Sequence, residues 1–436
     1  MLSAPSFNCP AYLGSDGIMR LAEIAYKDDK WARFELGSEG IFKKSGSYLV
    51  PSIPVEFHCH GIGEYDFSNL DELDMDKINA LAEREGIYCV PSIFLPHHQL
   101  DQFVAVMKAF HEQKKKGNYP NILGISLEGP LLASFAGTPE KGNWAPLKEE
   151  WKKIATCGQY GLLYTVLSPD AMTENSYLKK YITPEHPSIE WIVDTLVEAG
   201  VKPALGHFQK AYPEETSKLI TNVINTAQKR SNHAGSTAVL TDHLFNDMPN
   251  NFKHTWRTPQ ERTQRLEGLK SAQLEQWNIE SVNTLVGEVP GTLIRAAKEG
   301  LLTICMNFDS EHVDLEVARR VVELVGSQGI IAMTDRIDTD EMCGQSLEKI
   351  EGNNLWYQGK GYVAAGSYTI DRLMHNIRSI GFNEQTVWNL TSFVPLRAAG
   401  HHLNAQAAHA AQPFSFIDET KGRNHFKSHV PEFVLA

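Results

Sequence analysis

The sequence predicts an α/β chain folded as a (β/α)8 barrel with a small β domain made from its two termini. Three observations carry this. From Tyr48 onward, short β-branched apolar runs alternate with helical stretches, the pattern of βα units and a parallel sheet. About eight such runs fall within roughly 300 residues, the size of one closed barrel. Most runs also end in polar, metal-ligating side chains, and such barrels carry their chemistry at the C-terminal ends of their strands.

Taken in order, residues 1–47 hold short strand-like pieces, Trp31-Ala-Arg-Phe-Glu-Leu and Gly46-Ser-Tyr-Leu-Val, too short for a domain alone. The first run, from Tyr48, leads into His58-Cys59-His60-Gly61. Residues two apart on a strand share a face, so His58 and His60 leave together and Cys59 points away. A helix pattern over Leu70–Glu85 precedes the second run, Ile87 to Leu95. The third is Ile122 to Leu127, the fourth Leu162 to Leu167 and the fifth Lys202 to Gly206. A helix then starts at Pro213-Glu-Glu, with proline and acids in the first turn, where unpaired N–H groups favour them. The sixth run is Ala238-Val-Leu, the seventh Leu301 to Phe308 and the eighth Gly329 to Met333. Barrel residues thus span 48–400, and 401–436 complete the small domain, with a periodic stretch at Ala405–Ala411 and a strand-like end at Phe433-Val-Leu-Ala. Residues 250–285, after the sixth run, form a polar insertion with a helix from Pro259 to Trp277. A connection this long is either functional or a solvated appendage.

The 436 residues, 42% hydrophobic and 22% charged, suit a globular protein with a sizeable core. A net charge of −12 argues against nucleic-acid and anionic-membrane partners. No apolar run approaches a membrane span, and the first residues lack the basic-then-apolar pattern of a secretory signal. Six scattered cysteines without Cys-x-x-Cys spacing read as reduced thiols of a cytoplasmic protein.

The strand ends supply a constellation. His58 and His60 follow run one, Glu128 run three, His207 run five, His243 run six, His312 run seven and Asp335 run eight. Glu128, His207 and His243 offer nitrogen and carboxylate ligands with a position left for water, the pattern of a catalytic metal site. His58 and His60 suit a second ion with Glu128 bridging. Zinc is the first expectation, with iron, manganese, cobalt or nickel as alternatives. A bound metal brings the pKa of water from about 15.7 toward roughly 7. Asp335 would take the water's proton and return it to the leaving group, and His312 would polarise the substrate carbonyl.

These residues lie in pieces that together resemble the N-acetylglucosamine-6-phosphate deacetylases of the amidohydrolase superfamily. The pieces are His58-Cys-His60-Gly61, Ser126-Leu-Glu128-Gly129-Pro130, Gly206-His207 through Tyr212 and His243-Leu-Phe-Asn246-Asp247-Met248-Pro. Further on come Glu288-Val-Pro-Gly291, Asp309-Ser-Glu-His312, Thr334-Asp335, Ala365-Gly366-Ser367 and Pro395 to Gly400. The resemblance implies metal-dependent hydrolysis of an N-acetylated amino sugar, a small-molecule substrate. It implies Glu128, His207 and His243 at the hydrolytic metal, His58 and His60 at an optional second ion, and Asp335 as acid/base. It also implies His312 on the carbonyl and sugar, and Gly129, Asn246, Asp247, Ala365, Gly366 and Ser367 in contact with substrate. Family members are usually homodimers whose phosphate-binding arginine comes from the neighbour.

The departures are specific. Val286-Gly287 stand where that arginine usually sits, Glu56 replaces an aspartate, and Arg336 follows Asp335 where a small residue is customary. The insertion brings Lys253, His254, Arg257, Arg262 and Arg265 as replacement cations for a phosphate, or as solvated charges. A dihydroorotase-like ring opener would carry a bridging lysine on the fourth strand, but Val166-Leu-Ser-Pro-Asp170 has none. A non-catalytic scaffold would show eroded ligands, and the expected side chains are present.

Overall fold

A computed structural model describes residues 7–27, 30–39, 47–134, 136–230, 236–401, 413–418 and 422–426. Eight parallel strands lie side by side in chain order: β1 (Val55–Cys59), β2 (Tyr88–Ile93), β3 (Ile125–Leu127), β4 (Leu162–Leu167), β5 (Lys202–Leu205), β6 (Leu240–His243), β7 (Thr303–Asn307) and β8 (Ile330–Met333). The segment after β8 closes the barrel on β1. Asp335 N–H donates to the His58 carbonyl at 3.1 Å, and His60 N–H donates to the Arg336 carbonyl at 2.7 Å. Two site residues are therefore fixed by backbone hydrogen bonds across the seam.

Side chains such as Val55, Phe57, Val166, Leu240, Ile331 and Met333 fill the barrel, and a larger core lies between the strands and the surrounding helices. The helix predicted over 70–85 begins at Met75, because the Asp74 carboxylate accepts from the Lys77 N–H at 3.1 Å and ends the preceding loop. It buries Met75, Ile78 and Ala82 on one face and stops at Gly86, whose φ of 65° suits glycine. Ile78, fully buried, contributes roughly 1.5–3 kcal/mol through its removal from water. The helix at Pro213–Arg230 starts as read. The sixth strand lies slightly later than its apolar run suggests and includes His243 itself.

The described strands of both termini share one six-stranded sheet, in the order Gly422–Phe426, Phe414–Asp418, Tyr48–Val50, Phe7–Leu13, Met19–Lys27, Lys30–Glu39. The stretches Ala405–Ala411 and Phe433–Ala436 lie outside the described residues. A four-stranded antiparallel sheet between Glu341 and Ala365 covers part of the barrel mouth and was not legible in the sequence. Its first hairpin turns through Cys343 and Gly344, both with positive φ, 52° and 74°, as a type I′ turn requires. Cysteine is no turn signal. No helix of the described residues is long and apolar enough to cross a membrane.

Candidate metal centre

Two local irregularities aim the ligands. Between Glu56 and Cys59, β1 advances three residues against two on β2, and between Leu240 and His243, β6 does the same against β7. Each is a bulge, which breaks strict alternation and re-aims side chains. Past the first bulge, His58 and His60 point into the barrel mouth while Cys59 packs against Cys89, with sulfurs 3.6 Å apart.

Glu128, 2% exposed, is the hub. Its Oε2 lies 2.9 Å from His58 Nε2 and 3.0 Å from His60 Nε2. Its Oε1 lies 2.7 Å from His207 Nε2 and 3.7 Å from His243 Nε2. Asp335 Oδ1 stands 3.1 Å from His60 Nε2, and Oδ2 stands 3.4 Å from His312 Nε2. The opposite ring nitrogens are held from behind. His58 Nδ1 meets the Tyr164 hydroxyl at 3.0 Å, which itself donates to the Phe57 carbonyl. His60 Nδ1 donates to the Ser92 carbonyl at 3.2 Å, His207 Nδ1 to Asp247 at 2.8 Å and His312 Nδ1 to Asp309 at 2.6 Å. In His58, His60 and His207, the candidate metal ligands among these, an Nδ1 that donates outward leaves the Nε2 lone pair free to face a cation, which is how outer partners orient metal-binding histidines.

Two groups result, His58-His60-Glu128-Asp335 and Glu128-His207-Asp242-His243, each with its ligand atoms within 4.8 Å of one another. Five of the expected ligands, with Asp335, thus converge. Asp242 carries no signal in the sequence, because an acid beside a strand-end histidine should face away; the bulge in β6 turns both inward. Tyr164 and Asp309 were equally unsignalled as supports.

The residues fit a cation. Asp242 Oδ1 and Oδ2, Asp335 Oδ1 and His60 Nε2 are buried without hydrogen-bond partners, a cost that buried polar groups rarely bear uncompensated. Without an ion, opposite charges hold one another in place. Burial works against the charged His60, but Glu128 and Asp335 more than offset it and raise its pKa to about 10. His243 is raised to about 9 against burial by Asp242 and Glu128. Burial alone would raise the Glu128 carboxyl, yet His60 and its neighbours hold it well below the usual range. A divalent ion would take the place of the imidazole protons.

The cavity beside these groups measures about 300 Å³ and is lined by Glu128, His207, His243, His312 and Asp335, with Asn246 and Asp247. Larger cavities of about 560 and 1020 Å³ lie elsewhere, but neither holds one of the two ligand groups found among the described residues. Asp247 is already engaged: His207, Ser134 and Lys210 contact its carboxylate at 2.8, 2.9 and 2.7 Å. Burial would raise its pKa, but Lys210 and His207 hold it at about 2. The other expected substrate residues are spread out. Asn246 lines the cavity and donates to Asn307 at 2.8 Å. The Gly129 carbonyl accepts from Thr165 at 2.6 Å, and Gly129 is not in the lining. Ala365 is buried, and Ser367 turns to the Asn354 carbonyl at 2.6 Å. Gly366 backs the Asp335–His312 pair, since a Cβ there would stand 2.7 Å from the Thr334 carbonyl and 3.3 Å from His312. Tyr362, Val363 and Ala364 line the cavity from this segment instead.

The insertion divides in two. Asn250, Phe252, Lys253, His254 and Thr255 line the cavity, whereas the helix Pro259–Ser271 buries only Arg265. Arg257 lies beside Gly361 and 3.6 Å from Glu348, and Arg262 sits over Trp256. Arg265 donates to the Ser310 carbonyl at 2.6 Å, bracing the loop that carries His312. Lys253 and Lys210 are thus the cavity's lysines, each in an ion pair, with Glu261 at 2.8 Å and Asp247 at 2.7 Å.

Comparison of the sequence with protein-family models and with curated proteins gives no match. Solved structures do match. The N-acetyl-D-glucosamine-6-phosphate deacetylase from Mycobacterium smegmatis aligns at a TM-score of 0.65 and 17% identity, covering 97% of both chains. A mutant of that enzyme, solved in complex with N-acetyl-D-glucosamine-6-phosphate, aligns at 0.64 and 17% over the same shares. The N-acetylglucosamine-6-phosphate deacetylase from Thermotoga maritima aligns at 0.65 and 13%, covering 97% of this chain and 98% of that one. At such identities the likeness establishes the fold: this chain has the barrel-plus-terminal-sheet fold of those deacetylases.

Proposed function

We propose that this chain is a metal-dependent amidohydrolase that removes the acetyl group from an N-acetylated amino sugar, with N-acetylglucosamine 6-phosphate as its preferred substrate. The observation that carries the reading is the convergence of four imidazole Nε2 atoms on Glu128, beside an Asp335–His312 pair that faces the same cavity. The fold shared with deacetylases over nearly the whole length supports the substrate class. The fourth strand runs on into Ser168 and Asp170, which bond the Gly206 carbonyl and Thr216, so Glu128 is the residue that would stand between two ions.

Glu128, His207 and His243, with His58 and His60, would hold one or two divalent ions, zinc or another first-row metal. Such an ion supplies a Lewis acid for the amide carbonyl and water acidified to a pKa of roughly 7. Asp335 is fixed by its own N–H to His58 and by the Gly366 N–H to its carbonyl. Its carboxylate accepts the water proton as the new C–O bond forms. His312 donates from Nε2 to the carbonyl oxygen; its Nδ1 is committed to Asp309, and burial notwithstanding, Asp309 raises its pKa and favours the donor form. Asp335 then passes the proton to the amine nitrogen as the C–N bond breaks, giving acetate and the amino sugar. Lys253, Lys210 and His254, whose ring nitrogens have no partner, place donors for an anionic substituent within one subunit.

Acetate release from N-acetylglucosamine 6-phosphate and from N-acetylglucosamine, measured side by side, tests the substrate. The phosphorylated sugar should be hydrolysed faster. Lys253→Ala should raise its KM about tenfold or more, the loss of a charge-assisted contact of about 1.5–3 kcal/mol, and leave the plain sugar nearly unchanged. Equal turnover of both sugars, with no response to Lys253→Ala, would rule out the phosphate preference.

A further inference from the structure

We propose that Asp242 is a fourth protein ligand of the metal held by Glu128, His207 and His243. The ion bound there is then one that accepts five or six ligands, such as manganese, iron or cobalt. This rests on the metal-dependent reading above. Asp242 Oδ2 lies 3.1 Å from His207 Nε2 and 3.3 Å from His243 Nε2. The residue is 1% exposed, and neither carboxylate oxygen has a hydrogen-bond partner. A buried carboxylate in that state, with a second carboxylate in the same group, needs positive charge facing it, which imidazole protons supply in the absence of an ion and a bound cation would supply in their place.

The backbone is built to put it there. The extra residue of β6 between Leu240 and His243 lets two consecutive side chains enter the site, as an unbroken strand would not. The neighbouring strand also makes room. A Cβ on Gly206 would lie 2.5 Å from Asp242 Cβ and 2.9 Å from its Oδ2, so only glycine there leaves Asp242 its place beside His207. The chemistry follows from the count. Four protein ligands complete the tetrahedron that zinc prefers and leave no open position, which catalytic sites keep. An ion of higher coordination number keeps room for water, and a set of two imidazoles and two carboxylates suits manganese or iron.

The test needs no turnover. The chelated full-length protein is titrated with Co²⁺ alone, following bound metal per chain and the visible d–d absorption. Expected are the weak bands of five- or six-coordinate cobalt. In Asp242→Ala and Asp242→Asn, cobalt affinity should fall at least about tenfold or one ion per chain be lost, the scale of losing a group that holds a metal. Circular dichroism of each variant shows that it is folded; if neither folds, the spectrum of the unmodified protein decides alone. Intense tetrahedral bands in that protein, or folded variants that bind cobalt with unchanged stoichiometry and affinity, would overturn the proposal. Cobalt bound as expected by a protein that deacetylates no sugar would overturn the catalytic reading and leave this one standing.

Discussion

Asp335 and His312 face each other across the edge of the cavity, with Asp335 Oδ2 3.4 Å from His312 Nε2 and Asp335 Oδ1 3.1 Å from His60 Nε2. Asp335→Asn keeps the shape and removes the proposed base. Turnover should fall at least about a hundredfold, the lower range for a positioned acid/base group, with the metal held by Glu128, His207 and His243 little changed. Near-normal turnover in that variant would move the base elsewhere. His254 gives a pH prediction. Burial, and then Arg265, depress its pKa from the ordinary 6.5 to about 3. The unfolded chain therefore binds a proton that the folded one refuses between those values, and stability falls as pH drops through that window. His254→Phe, packed between Phe245 and Phe252, should lose less stability between pH 7 and pH 5 than the unmodified protein in urea unfolding. At this scale the sequence made the histidines, Glu128 and Asp335 legible, because each ends an apolar run. Asp242 and Tyr164 were not, since a bulge and a cross-barrel hydrogen bond decide their roles.

Among the elements, the segment after β8 joins two departures from the family pattern that looked unrelated in the sequence. Arg336 is 4% exposed and reaches Glu85 at 2.8 and 3.0 Å and Asp338 at 2.8 and 2.6 Å, with Glu56 at 3.9 Å. Glu56, fully buried, accepts from the Ile370 N–H and from Thr334. The longer acid and the added arginine therefore lie on one seam, next to Asp335. Burial raises the Glu56 carboxyl to about 7 even with Arg336 opposing it. Arg336→Met should cost roughly 3 kcal/mol in urea unfolding, the low end for breaking a buried pair, because Glu85 and Asp338 are partly in water. It should also lower turnover by loosening the Asp335 backbone. A variant as stable and active as the parent would show that the seam does not depend on this arginine. The insertion was half legible: its charge and its helix at Pro259 could be read, but not that Arg265 turns inward to Ser310 while only the stretch ahead of the helix reaches the cavity.

For the whole molecule, eight apolar runs predicted eight strands, and they pair in chain order because each βα unit buries its run between barrel interior and helices. The sheet over Glu341–Ala365 is not legible in the sequence because its strands are short and mixed in polarity, which leaves no clear period. The ligand groups come from β1, β6 and the ends of β3, β5 and β8, so only the closed barrel assembles them. Acetate release from N-acetylglucosamine 6-phosphate, by purified protein as isolated, after exhaustive chelation and after restoring a divalent metal, tests that assembly most directly. Release should vanish on chelation and return with about one or two ions per chain. Full activity in the metal-free protein would contradict the account.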